Sequence, residues 1–146
     1  MAQNYIYSIV QGQKGYLWVG TGEGVSRYDG KDINTFTTKN GLAEDFVTAI
    51  SILGNGNVIF GHFEGGVTLY NGDIFSIVDT TQIESKVIDF TSYKNYAYGL
   101  TSNTGVFLFN GKGVELQKTP ELNGRIAYNI IQLNSQIFVA TNEGLI

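Results

Sequence analysis

The chain alternates short apolar runs with glycine-bearing polar breaks from end to end. Tyr5-Ile6-Tyr7-Ser8-Ile9-Val10 is the first run, and a turn over Gln11 to Gly15 follows. Tyr16 to Thr21 and Val25 to Tyr28 are the next two, joined by Gly22-Glu23-Gly24, and Ile33 to Thr37 comes after Asp29-Gly30. Runs of this length, rich in aromatic and β-branched residues and bounded by Gly, Asn and Asp, predict strands. No segment carries the 3.6-residue period of a helix. Only Gln82 to Lys86, within a connection, has room for a single helical turn.

The order then repeats. Val47 to Leu53, Asn57 to His62, Val67 to Tyr70 and Ile74 to Val78 form a second set. Val87 to Tyr93, Tyr96 to Thr101, Val106 to Phe109 and Val114 to Lys118 form a third, and Ile126 to Leu133 and Gln136 to Thr141 open a fourth. Aligned on Gly24, Gly66, Gly105 and Gly144, the copies recur with a period near 40, and four strands per such period is the pattern of a β-propeller blade. The expected fold is therefore all-β: a propeller fragment of about three and a half four-stranded antiparallel blades, over 5–46, 47–86, 87–125 and a partial 126–146. A β-sandwich also has short strands and regular turns. It gives no reason for a repeated Gly-Val-x-x-aromatic-Asp/Asn-Gly phrase. The pairs Asp29-Gly30, Asn71-Gly72 and Asn110-Gly111 predict two-residue hairpin turns with both residues at positive φ. On this alignment Phe60 and Phe138 stand for Trp18, and Gly99 leaves that place empty. Trp18, Phe60, Tyr28, Tyr70 and Phe109 are expected in the core between blades. The fourth unit lacks its third and fourth strands, so the edge after Thr141 is expected to be unpaired and to invite a second copy of the chain.

Composition narrows the functions. The 146 residues include nine Tyr, nine Phe and nineteen Gly, and 42% are hydrophobic, enough for a sheet core. Nine basic residues against thirteen acidic ones leave a net charge of −4 without a basic stripe, which argues against nucleic acid as a partner. There is no cysteine and a single histidine, so disulfides and thiolate metal sites are excluded, and no EF-hand spacing is present. No cofactor is expected. No apolar run reaches membrane-spanning length. Met1 to Asn4 lead almost directly into a strand, which fits a cytosolic protein or an exported chain whose signal has been removed.

Leu17-Trp18-Val19-Gly20-Thr21, followed by Gly24-Val25 and Tyr28-Asp29-Gly30, resembles the two-component regulator propeller repeat. Gly41-Leu42 is similar to that repeat's lead-in to the next blade, and the later copies are degenerate. The resemblance covers nearly the whole chain, but its motif residues are structural. It implies the exported, periplasmic or extracellular sensor region of a bacterial hybrid sensor histidine kinase, which often responds to glycan fragments. It also implies a segment that is itself non-catalytic.

Gly20-Thr21-Gly22-Glu23-Gly24 is not a nucleotide loop, because a dinucleotide fingerprint must open a helix and Val25 starts another strand. Glu44-Asp45 are neighbours, and adjacent residues in a strand point to opposite faces, so they do not form a glycosidase pair. One histidine supports no Ser/His/Asp set. The remaining candidates lie in or beside the turns between second and third strands: Glu23, His62, Phe63, Glu64, Asn103 and Asn142. Propeller topology expects these turns on one face of the disc. There His62 would offer a hydrogen-bonding imidazole and Phe63 a stacking face to a glycan or other small polar ligand. A structural or protein-interaction propeller without a small ligand is the other reading.

Overall fold

The computed structural model describes residues 5–146, and Met1 to Asn4, with their lead-in to the first strand, lie outside them. Among the described residues, fifteen strands form four separate antiparallel sheets in chain order. Sheet one is β1 (Ile6–Gln11), β2 (Leu17–Thr21), β3 (Gly24–Tyr28) and β4 (Ile33–Phe36). Sheet two is β5 (Val47–Ile52), β6 (Val58–His62), β7 (Val67–Tyr70) and β8 (Phe75–Asp79). Sheet three is β9 (Val87–Tyr93), β10 (Tyr96–Thr101), β11 (Val106–Phe109) and β12 (Val114–Leu116). Sheet four is β13 (Ala127–Leu133), β14 (Gln136–Thr141) and β15 (Gly144–Leu145). The first strands β1, β5, β9 and β13 lie side by side, so the sheets fan out from them as an open arc of blades. Each of the three apolar clusters fills the space between two successive sheets.

Gln82 to Lys86 is not helical. The Asp79 carboxylate accepts the Gln82 and Ile83 amides and holds that connection as an irregular loop. Single 3₁₀ turns occur instead at Thr38–Asn40, closed by a Thr37/Asn40 capping box, and at Pro120–Leu122. The fourth unit does have a third strand. β15 pairs with β14, and Val139 and Ile146 exchange both backbone hydrogen bonds, so the expected free edge is covered from Val139 to Thr141.

The outer hairpins differ from the two-residue turns expected. Gly30, Gly72 and Gly111 have φ of 99°, 98° and 97°, but the residues before them do not have positive φ. Asp29, Asn71 and Asn110 each turn a side-chain oxygen onto the amides two and three residues ahead, at 2.8 to 3.0 Å. That side chain does what a turn carbonyl would do. Glycine becomes the first central residue, where a type II′ turn needs positive φ.

The register also corrects the repeat alignment. In β2, Trp18 pairs with Val10 of the first strand, and Ile59, Tyr98 and Phe138 hold that place in the later sheets. Phe60 is equivalent to Val19, on the opposite face of its sheet. It therefore meets Trp18 across the gap between sheets, with ring centroids 5.5 Å apart. Gly99 is equivalent to Val19 as well, and its place is filled by the Phe107 ring lying over it from β11. Sheet two carries the large residue on β6 (Phe60) opposite Thr68, while sheet three carries it on β11. Trp18, Phe60, Tyr70 and Phe109 are buried as expected, but Tyr28 is exposed. Tyr28 shares the register position of Tyr70 and Phe109, which pack against the preceding sheet, and among the described residues no sheet lies on that side of sheet one.

Candidate functional site

The turns between second and third strands lie at the end of each sheet where the chain crosses to its neighbour. A threonine closes three of them. Thr21 donates to the Gly24 carbonyl at 2.9 Å and accepts the Glu23 amide at 3.1 Å. Thr101 and Thr141 repeat this with Gly105 and Thr104, and with Gly144 and Glu143. The hydroxyl pins the hairpin and is consumed in doing so.

Sheet two departs from this pattern, because His62 holds the threonine place. The His62 side chain is fully buried. Its Nδ1 faces the Phe46 carbonyl at 3.1 Å and its Nε2 faces Thr68 Oγ1 at 2.8 Å. A carbonyl can only accept, so Nδ1 carries the proton and Nε2 accepts from Thr68. Both nitrogens are occupied, and His62 is a structural residue rather than a surface hydrogen-bond partner. Burial disfavours the imidazolium and lowers its pKa from 6.5 to about 4. The sign follows. Below pH 6.5 the unfolded chain takes up a proton that the folded chain excludes, so stability falls as pH drops from 6.5 towards 4 and is unaffected above 6.5. The expected loss at pH 5 is about 2 kcal/mol. Urea denaturation at pH 7.5 and pH 5 checks it. His62→Thr, which restores the hydroxyl of the other sheets, should remove that difference from the wild-type slope, and an unchanged slope would refute the assignment.

Phe63 is exposed, 43% of it facing solvent. Its ring stacks on Phe46, centroids 4.6 Å apart at 29°, and Phe46 in turn meets Tyr7 at 4.9 Å. Tyr7 arrives there through a β-bulge between Ile6 and Ser8. Lys86 Nζ stands 5.8 Å from the Phe63 centroid, within range of a cation–π contact. Glu44 accepts the Glu64 amide at 3.0 Å, and its carboxyl is raised above the ordinary value by desolvation first, with the charge of Glu64 adding. The result is a ladder of three rings from sheet one to the turn of sheet two, flanked by an ammonium and two carboxylates. Such a surface can stack the apolar face of a sugar ring while the charged groups take its hydroxyls.

The other candidates do not join this ladder. Glu23 is exposed in the turn of sheet one. The Asn103 amide donates to Ser85, and the Asn142 side chain accepts the Ile126 amide, so each is tied to its own sheet's lead-in. Asn103 borders a concavity of about 650 Å³ between sheets three and four, which Pro120, Leu122 and Arg125 also line. Arg125 is paired with Glu143 at 3.4 Å. Tyr7, Phe46 and Lys86 were not among the expected residues. Phe46 and Lys86 lie in connections and Tyr7 in a bulge, so no repeat position marks them. The signal present was two aromatics, Phe46 and Phe63, one just ahead of a first strand and one just after its partner. Among the described residues, no group of three or more His, Asp or Glu is placed to hold a metal ion. No helix among them is long and apolar enough to cross a membrane.

Residues 1–23 match the model of the two component regulator propeller family. The matched stretch ends at Glu23, so it takes in β1 and β2 and leaves out the Tyr28-Asp29-Gly30 turn. No curated protein sequence matches the chain. Among solved structures, the extracellular domain of the hybrid two component system BT3049 from B. thetaiotaomicron superposes with a TM-score of 0.75 at 22% identity, over 96% of this chain and 21% of that one. Virginiamycin B lyase from Staphylococcus aureus gives a TM-score of 0.75 at 14% identity, over 97% of this chain and 54% of the lyase. The computationally designed Ika4 protein gives 0.75 at 12% identity, over 99% of this chain and 90% of the design. These likenesses establish the β-propeller fold. The chain spans about a fifth of the length of the two-component domain.

Proposed function

We propose that this chain is a ligand-sensing propeller segment of an exported two-component signalling protein. The observation that carries the proposal is the family match at residues 1–23, on a chain whose fold is also that of an extracellular two-component domain. In this reading the segment lies in the periplasm or outside the cell and performs no chemistry. It takes a small polar ligand, a carbohydrate by preference, on the turn end of its sheets. The Phe63–Phe46–Tyr7 ladder supports that choice of ligand, because an exposed ring flanked by carboxylates and a lysine suits a molecule with one apolar and one hydroxylated face. Binding moves a signalling equilibrium only by its differential affinity for the two states, so the contact has to bridge parts that shift. The ladder joins sheet one to sheet two. The same fold houses a lyase, but His62, the single histidine of this chain, is buried with both ring nitrogens engaged and is not free to act as an acid or base.

A thermal-shift screen of the chain against a glycan library tests the reading. A hit should raise the melting temperature in wild type, and Phe63→Ala should lose at least tenfold in affinity, since stacking of one ring contributes about 1.5 kcal/mol. A hit that binds Phe63→Ala unchanged would remove the ladder as the site. The second reading, a protein-interaction propeller without a small ligand, is favoured by the exposed apolar residues on the outer faces of sheets one and four. It predicts no hit at all.

A further inference from the structure

At the opposite end of the sheets, away from the turns described above, a cleft of about 190 Å³ opens between sheets one and two. Its walls come from the turn after β1, the turn after β5 and the outer hairpin of sheet two, and Arg27 projects into it from β3. The register makes that arginine unusual. Arg27 pairs with Trp18, and the same place is Leu69 opposite Ile59 in sheet two and Leu108 opposite Tyr98 in sheet three. Where the other blades put a leucine against the next sheet, this one puts a guanidinium. Its centre lies 5.1 Å from the Tyr16 centroid, 5.5 Å from Trp18 and 5.2 Å from Phe36, within cation–π range of all three rings.

That guanidinium has five N–H donors. One of them reaches the Tyr70 hydroxyl at 3.2 Å. No carboxylate of the described residues lies within ion-pair distance of it, the single ion pair among them being Arg125 with Glu143. Asp29, two residues along the strand, has one of its carboxylate oxygens engaged by the Lys31 and Asp32 amides. A half-buried arginine held among three rings, with most of its fork unused and facing a cleft, presents a planar pair of donors matched to a carboxylate. Lys14 adds a second positive charge to the cleft lining, and Gln13, Asn57 and Asn71 supply amides beside it. Gln13 also spans the two sheets by donating to the Gly54 carbonyl at 2.9 Å.

We propose that this cleft is a binding site for a small hydroxylated carboxylate, with Arg27 taking the carboxylate and the amide side chains the hydroxyls. The site is independent of the Phe63 surface, so either can fail without the other. One charge-assisted pair with a few neutral hydrogen bonds suits a dissociation constant on the order of 1 mM.

Trp18 is the only tryptophan of the chain and lies under Arg27, so its fluorescence reports on the cleft directly. The experiment titrates the full chain with glucuronate, and in parallel with glucose and with inorganic phosphate, to about ten times the expected dissociation constant. Glucuronate should change Trp18 emission saturably, whereas glucose, identical in ring shape but neutral, should bind at least tenfold more weakly. Arg27→Leu, the residue the other blades carry, should fold and lose the response. Arg27→Lys, which keeps the charge but not the fork, should weaken it, and this variant decides the matter if Arg27→Leu does not fold. Absence of any saturable change with glucuronate overturns the proposal. So does an equal response to glucose, a tighter response to phosphate, or an Arg27→Lys variant that binds like wild type.

Discussion

Trp18→Ala is expected to destabilise the fold by about 3 to 5 kcal/mol, the range for removing a large aromatic from a packed core. Trp18 is buried and meets Tyr70 at 5.2 Å, Phe60 at 5.5 Å and Phe75 at 6.5 Å, all from the neighbouring sheet. Two of these pairs are edge-on at 5 to 6 Å, the favourable arrangement for aromatic rings. The truncation therefore empties the space between two sheets, and neither sheet can close it without shifting its whole inner face. Phe138 occupies the same register position in the last sheet but is only half-buried on that sheet's outward face. Phe138→Ala is expected to cost less than half as much. Urea denaturation midpoints of the two variants measure the contrast, and equal losses would show that the assignment of inner and outer faces is wrong.

Much of the fold was legible in the sequence because the turn glycines and their Asn or Asp partners recur with the blade. What was not legible follows from turn length. Between the last residue of the second strand and the glycine that leads the third lie two residues in sheets one and four, Gly22-Glu23 and Asn142-Glu143, and three in the others, Phe63 to Gly65 before Gly66 and Ser102 to Thr104 before Gly105. An alignment anchored on Gly24 and Gly66 is right for the third strand and wrong by one for the second. In a strand one residue is a change of face, so Phe60 was matched to the residue it packs against. The filling of Gly99 by Phe107 was hidden for a different reason: the two positions exchange volume across strands, and neither shows it alone. The candidate surface was only partly visible. Phe63 was found because it sits in a repeat turn. His62 was misread because burial depends on Phe46 and Thr68, which come from a connection and a neighbouring strand. Arg27 drew no notice, since its meaning lies in the leucines that replace it elsewhere.

The 146-residue chain is expected to associate with a second copy rather than remain a monomer. Every internal contact between sheets sets the forward face of one against the backward face of the next. The outer faces hold the same positions uncovered. Ile9 is 59% exposed, while Ile50, Phe90 and Ile130, its counterparts in the other first strands, are 7%, 8% and 4% exposed. Leu145 is 69% exposed and its counterpart Val67 is fully buried. Tyr28 and Ile33 lie on the backward face of sheet one with Ile9, and Ile131 and Leu133 on the forward face of sheet four with Leu145. The two faces thus have the handedness and the apolar content of partners that already pair inside the chain. Two copies joined face to opposite face would bring eight sheets together, within the four to eight blades of closed propellers. Such a head-to-tail contact closes as a ring when the rotation allows. Covering these six side chains gives roughly 1 to 1.5 kcal/mol each, because each is already partly buried, or about 6 to 9 kcal/mol per contact. A closed pair makes the contact twice but loses rigid-body freedom once, about 4 to 15 kcal/mol. The balance favours a dimer at micromolar concentration. Light scattering should give twice the monomer mass there, and Ile131→Lys, which places a charge in both contacts of the ring, should return the monomer. A wild-type chain that stays a monodisperse monomer at that concentration, with cooperative unfolding, would show that the exposed faces do not hold a second copy.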